Sequence, residues 1–256
     1  MGKLKSTKVA IVTGVSRRIG IGAAIARALA EAGTTVFTTY YRPYDAGMVW
    51  GSKDSEAESI LDELREMGVQ ASGVEADLAD PAVPAWLIEQ VRQTFGPIDI
   101  LVNNATHDEE AVLEEMDADC LDRHYAVNVR GTLLLCREFA RVHDGRPGGR
   151  IINMTSGNSF TPMPGNLPYA ATKGAIESAT LALSAALAPK KITVNAVDPG
   201  ATDTGWMSDE LRQELVEKTP LGRIGSPLDA TRLIRFLASD EGEWITGQII
   251  RSRGGL

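Results

Sequence analysis

A tyrosine and a lysine four residues apart form a pair of groups suited to proton transfer. In "YAATK", Tyr169 and Lys173 lie in a stretch with helical spacing, so their side chains share one helix face. A tyrosine acts as a general acid or base near neutrality if its pKa falls from about 10 toward 7, a change worth about 4 kcal/mol. A lysine ammonium about 4 Å away supplies on the order of 4 kcal/mol at an effective dielectric constant of 20. The spacing therefore predicts that Lys173 lowers the pKa of Tyr169.

Two further polar residues fit the same reaction centre. Ser156 ends the apolar run "RIINMTS", and the carboxyl ends of parallel strands are where open α/β sheets bind ligands. Its hydroxyl group can donate a hydrogen bond to a substrate carbonyl oxygen. Asn128, in "VNVRG", lies within a predicted helix, where asparagine is a poor helix former. It is either a chance polar residue or a side chain that holds water beside Lys173.

The turn "TGVSRRIGIG", Thr13–Gly22, lies between a predicted strand and a predicted helix. In that position glycines let the backbone approach a pyrophosphate, which the helix N-terminus also attracts. The G-x-G-x-x-G fingerprint fails, because Ile25 stands at its third glycine. Either Arg18 replaces a glycine or the loop is two residues longer. We favour the longer loop, which places Gly20 and Gly22 together at the start of the helix.

The elements that must position these groups alternate along the whole chain. Continuous apolar runs of strand length, such as "KVAIVTG", are followed by amphipathic stretches such as "SEAESILDELREMG". About seven strands alternate with helices, without a linker or a repeat. The pattern predicts one α/β domain over residues 1–256, in which helices cover both faces of a parallel sheet.

Composition narrows the class of partner. The net charge of −8 gives no general attraction to nucleic acid or anionic membranes. The early apolar run "VAIVTGV" is too short to span a bilayer, and the opening "MGKLKS" matches only the loose myristoylation pattern. Cys120 and Cys136 are expected to be reduced, as in a cytoplasmic protein. The three histidines lack metal-ligand spacing, so no metal site is predicted.

Taken together, these motifs resemble the short-chain dehydrogenase/reductase family over essentially the whole chain. Asn128, Ser156, Tyr169 and Lys173 match its catalytic tetrad in order and spacing. The resemblance implies a single Rossmann-type domain, a homotetramer and hydride transfer between NAD(P)(H) and a small carbonyl or alcohol substrate. It also implies cofactor contacts from Thr13, Gly14, Ser16, Arg17, Arg18, Gly20, Ile21, Gly22, Tyr40, Arg42, Asp77, Leu78, Asn104, Ala105, Tyr169, Lys173, Pro199, Gly200, Thr202 and Thr204.

The sequence departs from the family pattern at three places. The cofactor loop is longer, Thr106 stands where glycine is usual, and the tail "RSRGGL" carries Arg251 and Arg253 where an acid is common before the Gly-Gly pair. The catalytic set is intact, which disfavours a non-catalytic dinucleotide sensor on the same fold. The substrate stays open between a small ketone, sugar or steroid and a 3-oxoacyl thioester. Residues 205–225, with Trp206 and Met207, are expected to form the substrate lid.

The arginines bear on the choice of cofactor. NAD-dependent members of the family usually have an acid at the end of the second strand; here that position is Tyr40, and in "AGTTVFTTYYRPYD" no carboxylate appears before Asp45. Arginine binds a phosphate through paired, charge-assisted hydrogen bonds. We therefore predict that Arg42, Arg17 and Arg18 bind the 2′-phosphate of NADP(H), with the loop arginines aimed outward from the pyrophosphate. The alternative is that one or both loop arginines are exposed and neutral to binding.

Overall fold

The computed structural model describes residues 7–157 and 162–255, and within them seven strands form one parallel sheet. The order of the strands is β3-β2-β1-β4-β5-β6-β7. The strands are β1 Val9–Val12, β2 Thr35–Tyr40, β3 Ala71–Glu75, β4 Ile100–Asn103, β5 Gly149–Met154, β6 Ile192–Asp198 and β7 Ile249–Arg251. The order reverses between β1 and β4, and doubly wound sheets bind ligands at the carboxyl ends of such neighbouring strands. The predicted α/β class is confirmed. The "MGKLKS" segment lies outside the described residues.

Helices cover both faces of this sheet. They are α1 Ile21–Glu31, α2 Arg42–Ala46, α3 Glu56–Glu66, α4 Val83–Phe95, α5 Ala118–His124, α6 Thr132–Val142, α7 Leu167–Leu187, α8 Asp209–Lys218 and α9 Pro227–Ala238. A π-helical segment, Tyr125–Gly131, joins α5 to α6 and contains Asn128. Short π-helical stretches inside helices are frequent at functional sites. The helix predicted around Asn128 is therefore π-helical at that candidate catalytic residue.

Alternate strand residues enter two apolar clusters. Ala10 and Val12 of β1 pack into a cluster with α1 and α9, whereas Val9 and Ile11 pack into a second cluster with α4 and α6. Both faces of β1 are thus buried, which explains why the strand is an unbroken apolar run. None of the helices in the described part of the chain is long and apolar enough to cross a membrane.

Candidate active site and cofactor cleft

The glycine-rich turn leads directly into α1, which begins at Ile21 with Gly20 as its N-cap. This start agrees with the longer-loop register. A Cβ on Gly22 would lie 2.7 Å from Asn104 Nδ2 and even closer to the carbonyl oxygen of Gly14, so only glycine fits there. No described side chain caps the helix, and its first turn has no acid. The turn therefore fits a pyrophosphate, which free N–H groups and the helix dipole would hold.

The loops after β1 and β4 are fastened together beside this turn. Thr13 Oγ1 accepts hydrogen bonds from the backbone N–H groups of Asn104 and Ala105, both at 3.0 Å. Asn104 Nδ2 donates in return to the carbonyl oxygens of Thr13 (2.9 Å) and Gly14 (3.0 Å). Four of the predicted cofactor residues therefore form one rigid unit where the strand order reverses.

The two loop arginines point in different directions. The guanidinium carbon of Arg17 lies 4.1 Å from the ring centroid of Trp50, and its Nη1 donates to the carbonyl oxygen of Thr204 at 3.0 Å. Arg18 instead faces α3, where its Nη2 forms an ion pair with Glu63 at 2.8 Å. The prediction that both arginines aim outward is wrong for Arg17, because stacking on an aromatic ring and a carbonyl acceptor draw it across the cleft. Arg18 is held on the α3 side of the turn by the acid on that helix.

Arg42 lies at the end of β2, but acidic side chains surround it. Glu75 ends the neighbouring strand β3 in register with Tyr40. Its carboxylate accepts hydrogen bonds from Arg42 Nη2 (2.5 Å) and Nε (3.0 Å), and Asp54 forms a second ion pair at 3.1 Å. These hydrogen bonds and charges raise the pKa of Arg42. A carboxylate does reach this position, from the next strand rather than from β2. A small pocket beside it is lined by, among others, Ser16, Arg17, Tyr40, Arg42 and Lys53.

Three of the predicted catalytic side chains lie together above the carboxyl end of β5. The hydroxyl groups of Ser156 and Tyr169 are hydrogen-bonded. Lys173 Nζ lies 5.3 Å from the centroid of the Tyr169 ring and donates to the carbonyl oxygen of Met154 at 3.1 Å. One strand end and the first two turns of α7 therefore bring a hydrogen-bond donor, a phenol and an amine to a single place.

The pKa values of this pair differ from the sequence prediction. Burial raises the pKa of Tyr169, and the carboxylate of Asp108 raises it further, while the Ser156 hydrogen bond acts in the opposite direction. Burial also lowers the pKa of Lys173 to about 8. The prediction that Lys173 brings the tyrosine pKa down is wrong in this structure. The cost of burying a phenolate exceeds the influence of an ammonium group that is directed at a backbone carbonyl.

Asn128 holds a loop in place rather than presenting its side chain to solvent. Its Oδ1 accepts from the His107 N–H at 2.7 Å and from Thr106 Oγ1 at 3.1 Å. Its Nδ2 donates to the His107 carbonyl at 2.9 Å and to Thr172 Oγ1 at 3.0 Å. The predicted role of the side chain in holding water beside Lys173 is therefore wrong, because its hydrogen-bonding positions are already used. Thr106, at the position usual for glycine, joins the same network.

The remaining predicted cofactor residues lie at two strand ends. After β3, Asp77 accepts a hydrogen bond from the Ala79 N–H at 2.8 Å and one from the Tyr41 hydroxyl, while Leu78 is buried. After β6, Thr202 Oγ1 donates to the carbonyls of Pro199 and Gly200, both at 3.2 Å. Both loops follow the carboxyl ends of parallel strands, so these residues lie at the same end of the sheet as the glycine-rich turn.

The unusual tail also has a structural explanation. Arg253 Nε lies 3.5 Å from the carboxylate of Asp198, which is buried at the end of β6. Arg253 also covers Gly157 and Gly200, where a Cβ would collide with its side chain. A cation thus replaces the acid expected before the Gly-Gly pair because β6 supplies the negative charge.

Sequence reasoning missed several residues around the cleft. Glu75 and Lys53 contribute charge beside Arg42, Trp50 supports Arg17, and Tyr44 and Asp108 meet near Tyr169. The segment from β2 to α3 has no clear helical or strand periodicity. Its density of aromatic residues, "YYRPYDAGMVW", was the available signal.

Comparison with known proteins defines the family. The family model described as enoyl-(acyl carrier protein) reductase matches residues 14–256. The uncharacterized oxidoreductase YjdA of Bacillus subtilis is 48% identical over 97% of this chain and 96% of its own length. Versicolorin reductase of Emericella nidulans is 38% identical over 97% of this chain and 95% of its own. A short-chain dehydrogenase of Burkholderia cenocepacia in complex with NADP superposes with a TM-score of 0.86 at 32% identity, covering 97% of each chain.

The chain therefore belongs to the short-chain dehydrogenase/reductase family. It is an oxidoreductase that transfers hydride between a nicotinamide cofactor and a carbonyl or secondary alcohol. The predicted family and reaction class are confirmed.

Proposed function

We propose that this protein is an NADP(H)-preferring reductase of a small ketone or aldehyde, with Tyr169 as the proton donor. The observation that carries the proposal is the hydrogen bond between the Ser156 and Tyr169 hydroxyl groups, with Lys173 beside them. A carbonyl oxygen that takes the place of this mutual hydrogen bond would accept from both hydroxyl groups at once. Positioned donors of this kind stabilise the negative charge that develops on the oxygen.

Each residue has a separate task in this proposal. Ser156 orients the carbonyl oxygen by donating a hydrogen bond, and Tyr169 transfers its phenolic proton to that oxygen. Lys173 returns the proton, since a pKa of about 8 lets it exchange protons near neutrality. Asn128 keeps the loop after β4 in place. The nicotinamide supplies the hydride when it is bound.

The preference for NADP(H) rests on the cations at the other end of the cleft. Arg42 and Lys53 line the pocket near the end of β2 together with Arg17. A 2′-phosphate could replace Glu75 and Asp54 as the partner of Arg42, since partly exposed ion pairs are weak and easily exchanged. Arg18 has no part in this proposal.

NADPH oxidation against a panel of ketones, aldehydes and 3-oxoacyl thioesters tests the proposal. We expect turnover with at least one small carbonyl compound and a higher kcat/KM with NADPH than with NADH. An equal or higher kcat/KM with NADH would contradict the cofactor preference. Failure of every carbonyl compound would contradict the reductase assignment.

We further infer a homotetramer. Leu121 and Tyr125 are exposed one helical turn apart, and Leu181 is exposed on α7. Exposed apolar side chains on neighbouring helices suit packing between subunits. Light scattering at micromolar concentration should give four times the chain mass of 27.4 kDa.

A further inference from the structure

The loop after β4 holds Asp108 in a fixed position beside the candidate active site. The Tyr44 hydroxyl donates to the carbonyl oxygen of Asp108 and accepts from its N–H, both at 3.2 Å. The Asn128 side chain forms hydrogen bonds with both the N–H and the carbonyl group of His107, the residue before Asp108. Two consecutive residues are thus fastened through their backbones, and these contacts do not use the Asp108 side chain.

The carboxylate of Asp108 faces the start of α7. Its Oδ1 accepts a hydrogen bond from Nδ2 of buried Asn166 at 2.5 Å. Asn166 is the N-cap of α7 and lies three residues before Tyr169. No partner for the second oxygen, Oδ2, is found among residues 7–157 and 162–255. One acceptor oxygen of a half-buried carboxylate is therefore available beside the tyrosine.

The negative charge of Asp108 is not neutralised by an ion pair within the described ranges. No lysine or arginine of the described ranges forms an ion pair with it. The neighbouring Glu109, in contrast, is paired with Arg123 at 2.9 Å. On the β6 side of the site, Arg253 is paired with Asp198. The Asp108 charge acts on the reaction centre, since it raises the pKa of both Tyr169 and Lys173.

We infer that Asp108 is a specificity-determining residue that selects carbonyl substrates by charge. Its free oxygen accepts a hydrogen bond from a hydroxyl or ammonium group near the reacting carbon. Its negative charge repels substrates that carry a carboxylate, and thioesters that carry a phosphate group. The inference rests on the proposed reductase function and names the substrate class for it: neutral or cationic carbonyl compounds with a hydrogen-bond donor. Repulsion of the wrong ligand is an effective source of specificity, because an unpaired like charge in a partly buried site is costly.

Asp108→Asn separates this role from a structural one. Asparagine has the same shape and keeps Oδ1 as the acceptor for Asn166, and the Tyr44 contacts use only the backbone. The matched control is Glu110→Gln, which removes one negative charge from an exposed side chain two residues away. If only the net charge of the protein mattered, both variants would behave alike.

Three probes share the acetoacetyl group and differ in charge: acetoacetate, ethyl acetoacetate and N-(2-aminoethyl)acetoacetamide. With NADPH, we expect wild-type kcat/KM to rise from the anion to the neutral ester to the cation. Asp108→Asn should reduce the cation-to-anion ratio about tenfold, mainly by improving acetoacetate, while Glu110→Gln should leave the ratio within about twofold.

The possible failures are distinguishable. If wild-type enzyme and Asp108→Asn both turn over the neutral ester but show the same charge ratio, the inference is overturned and the reductase function stands. The inference is also overturned if Glu110→Gln changes the cation-to-anion ratio of kcat/KM as much as Asp108→Asn does. If wild-type enzyme reduces none of these probes and no member of the wider carbonyl panel, the proposed function fails, and the inference fails with it.

Discussion

The two ends of the cofactor cleft are built from different interactions. At the catalytic end, Asn128 and Lys173 are buried and bonded to backbone groups and, for Asn128, to two threonine hydroxyl groups. At the adenosine end, Arg42 is bonded to the carboxylates of Glu75 and Asp54, and much of its side chain is exposed. Buried polar groups are costly to leave without partners, whereas exposed ion pairs contribute little and exchange easily. The first end is therefore suited to precise positioning and the second to replacing an acidic partner by a phosphate.

The largest effect should come from removing the phenolic hydroxyl at the catalytic end. Tyr169→Phe keeps the ring and its packing but loses the proton donor, so we expect turnover to fall by about 100-fold or more. NADPH affinity should stay within about threefold, because the adenosine end is untouched. Steady-state kinetics and NADPH fluorescence titration measure the two quantities. Near-wild-type turnover would remove Tyr169 from the proposed mechanism.

The stability of the protein should depend on pH through buried Lys173. Its pKa is about 8, below its usual 10.5, so between these values the unfolded chain binds more protons than the folded one. The free energy of unfolding therefore rises with pH across this window. The buried charge costs on the order of 3 kcal/mol below pH 8, and the cost is lost as pH approaches 10.5.

Urea unfolding of Lys173→Met at pH 7 and pH 10 measures this cost. The variant should gain stability relative to wild type at pH 7, and the gain should shrink by about 2 kcal/mol at pH 10. Lys190→Met, the same substitution at an exposed lysine, is the control for the change in unfolding free energy that does not depend on burial. An equal gain at both pH values would show that the Lys173 amine is solvated at neutral pH.

The catalytic end was easier to predict from sequence than the adenosine end, for a physical reason. Tyr169 and Lys173 belong to one helix, so local periodicity places them on one face. Ser156 ends a recognisable strand, and ligands of open α/β sheets bind at such strand ends. Arg42 meets Glu75 through strand pairing across 33 positions of the chain, which no local pattern reveals. The direction of the Tyr169 pKa shift was also missed, because it depends on the depth of burial and on Asp108 from a distant loop.

Arg42→Ala probes the exchangeable ion pairs at the adenosine end. The change removes a phosphate ligand and leaves the Glu75 carboxylate facing the cleft without its partner. A hydrogen bond to a charged group is worth about 1.5–3 kcal/mol, so NADPH affinity should fall roughly 10- to 100-fold. NADH affinity should change by less than about threefold, as measured by parallel fluorescence titrations. Equal weakening of both cofactors would mean that Arg42 supports the loop rather than the 2′-phosphate.

Arg18→Ala should have the smallest effect on NADPH affinity and on stability. It tests whether only one of the two loop arginines serves the adenosine end of the cleft. The Arg18 side chain is 46% exposed, and its partner Glu63 is also held by Arg27 at 2.8 Å. Glu63 therefore keeps a cationic partner in the variant, and the free energy of unfolding should fall by no more than about 0.5 kcal/mol. NADPH affinity should change by less than about twofold, whereas Arg17→Ala should weaken NADPH binding clearly, because Arg17 crosses the cleft to Thr204. A tenfold loss of NADPH affinity in Arg18→Ala, with NADH unaffected, would show that Arg18 leaves Glu63 for the 2′-phosphate, and the division between the two loop arginines would then be wrong.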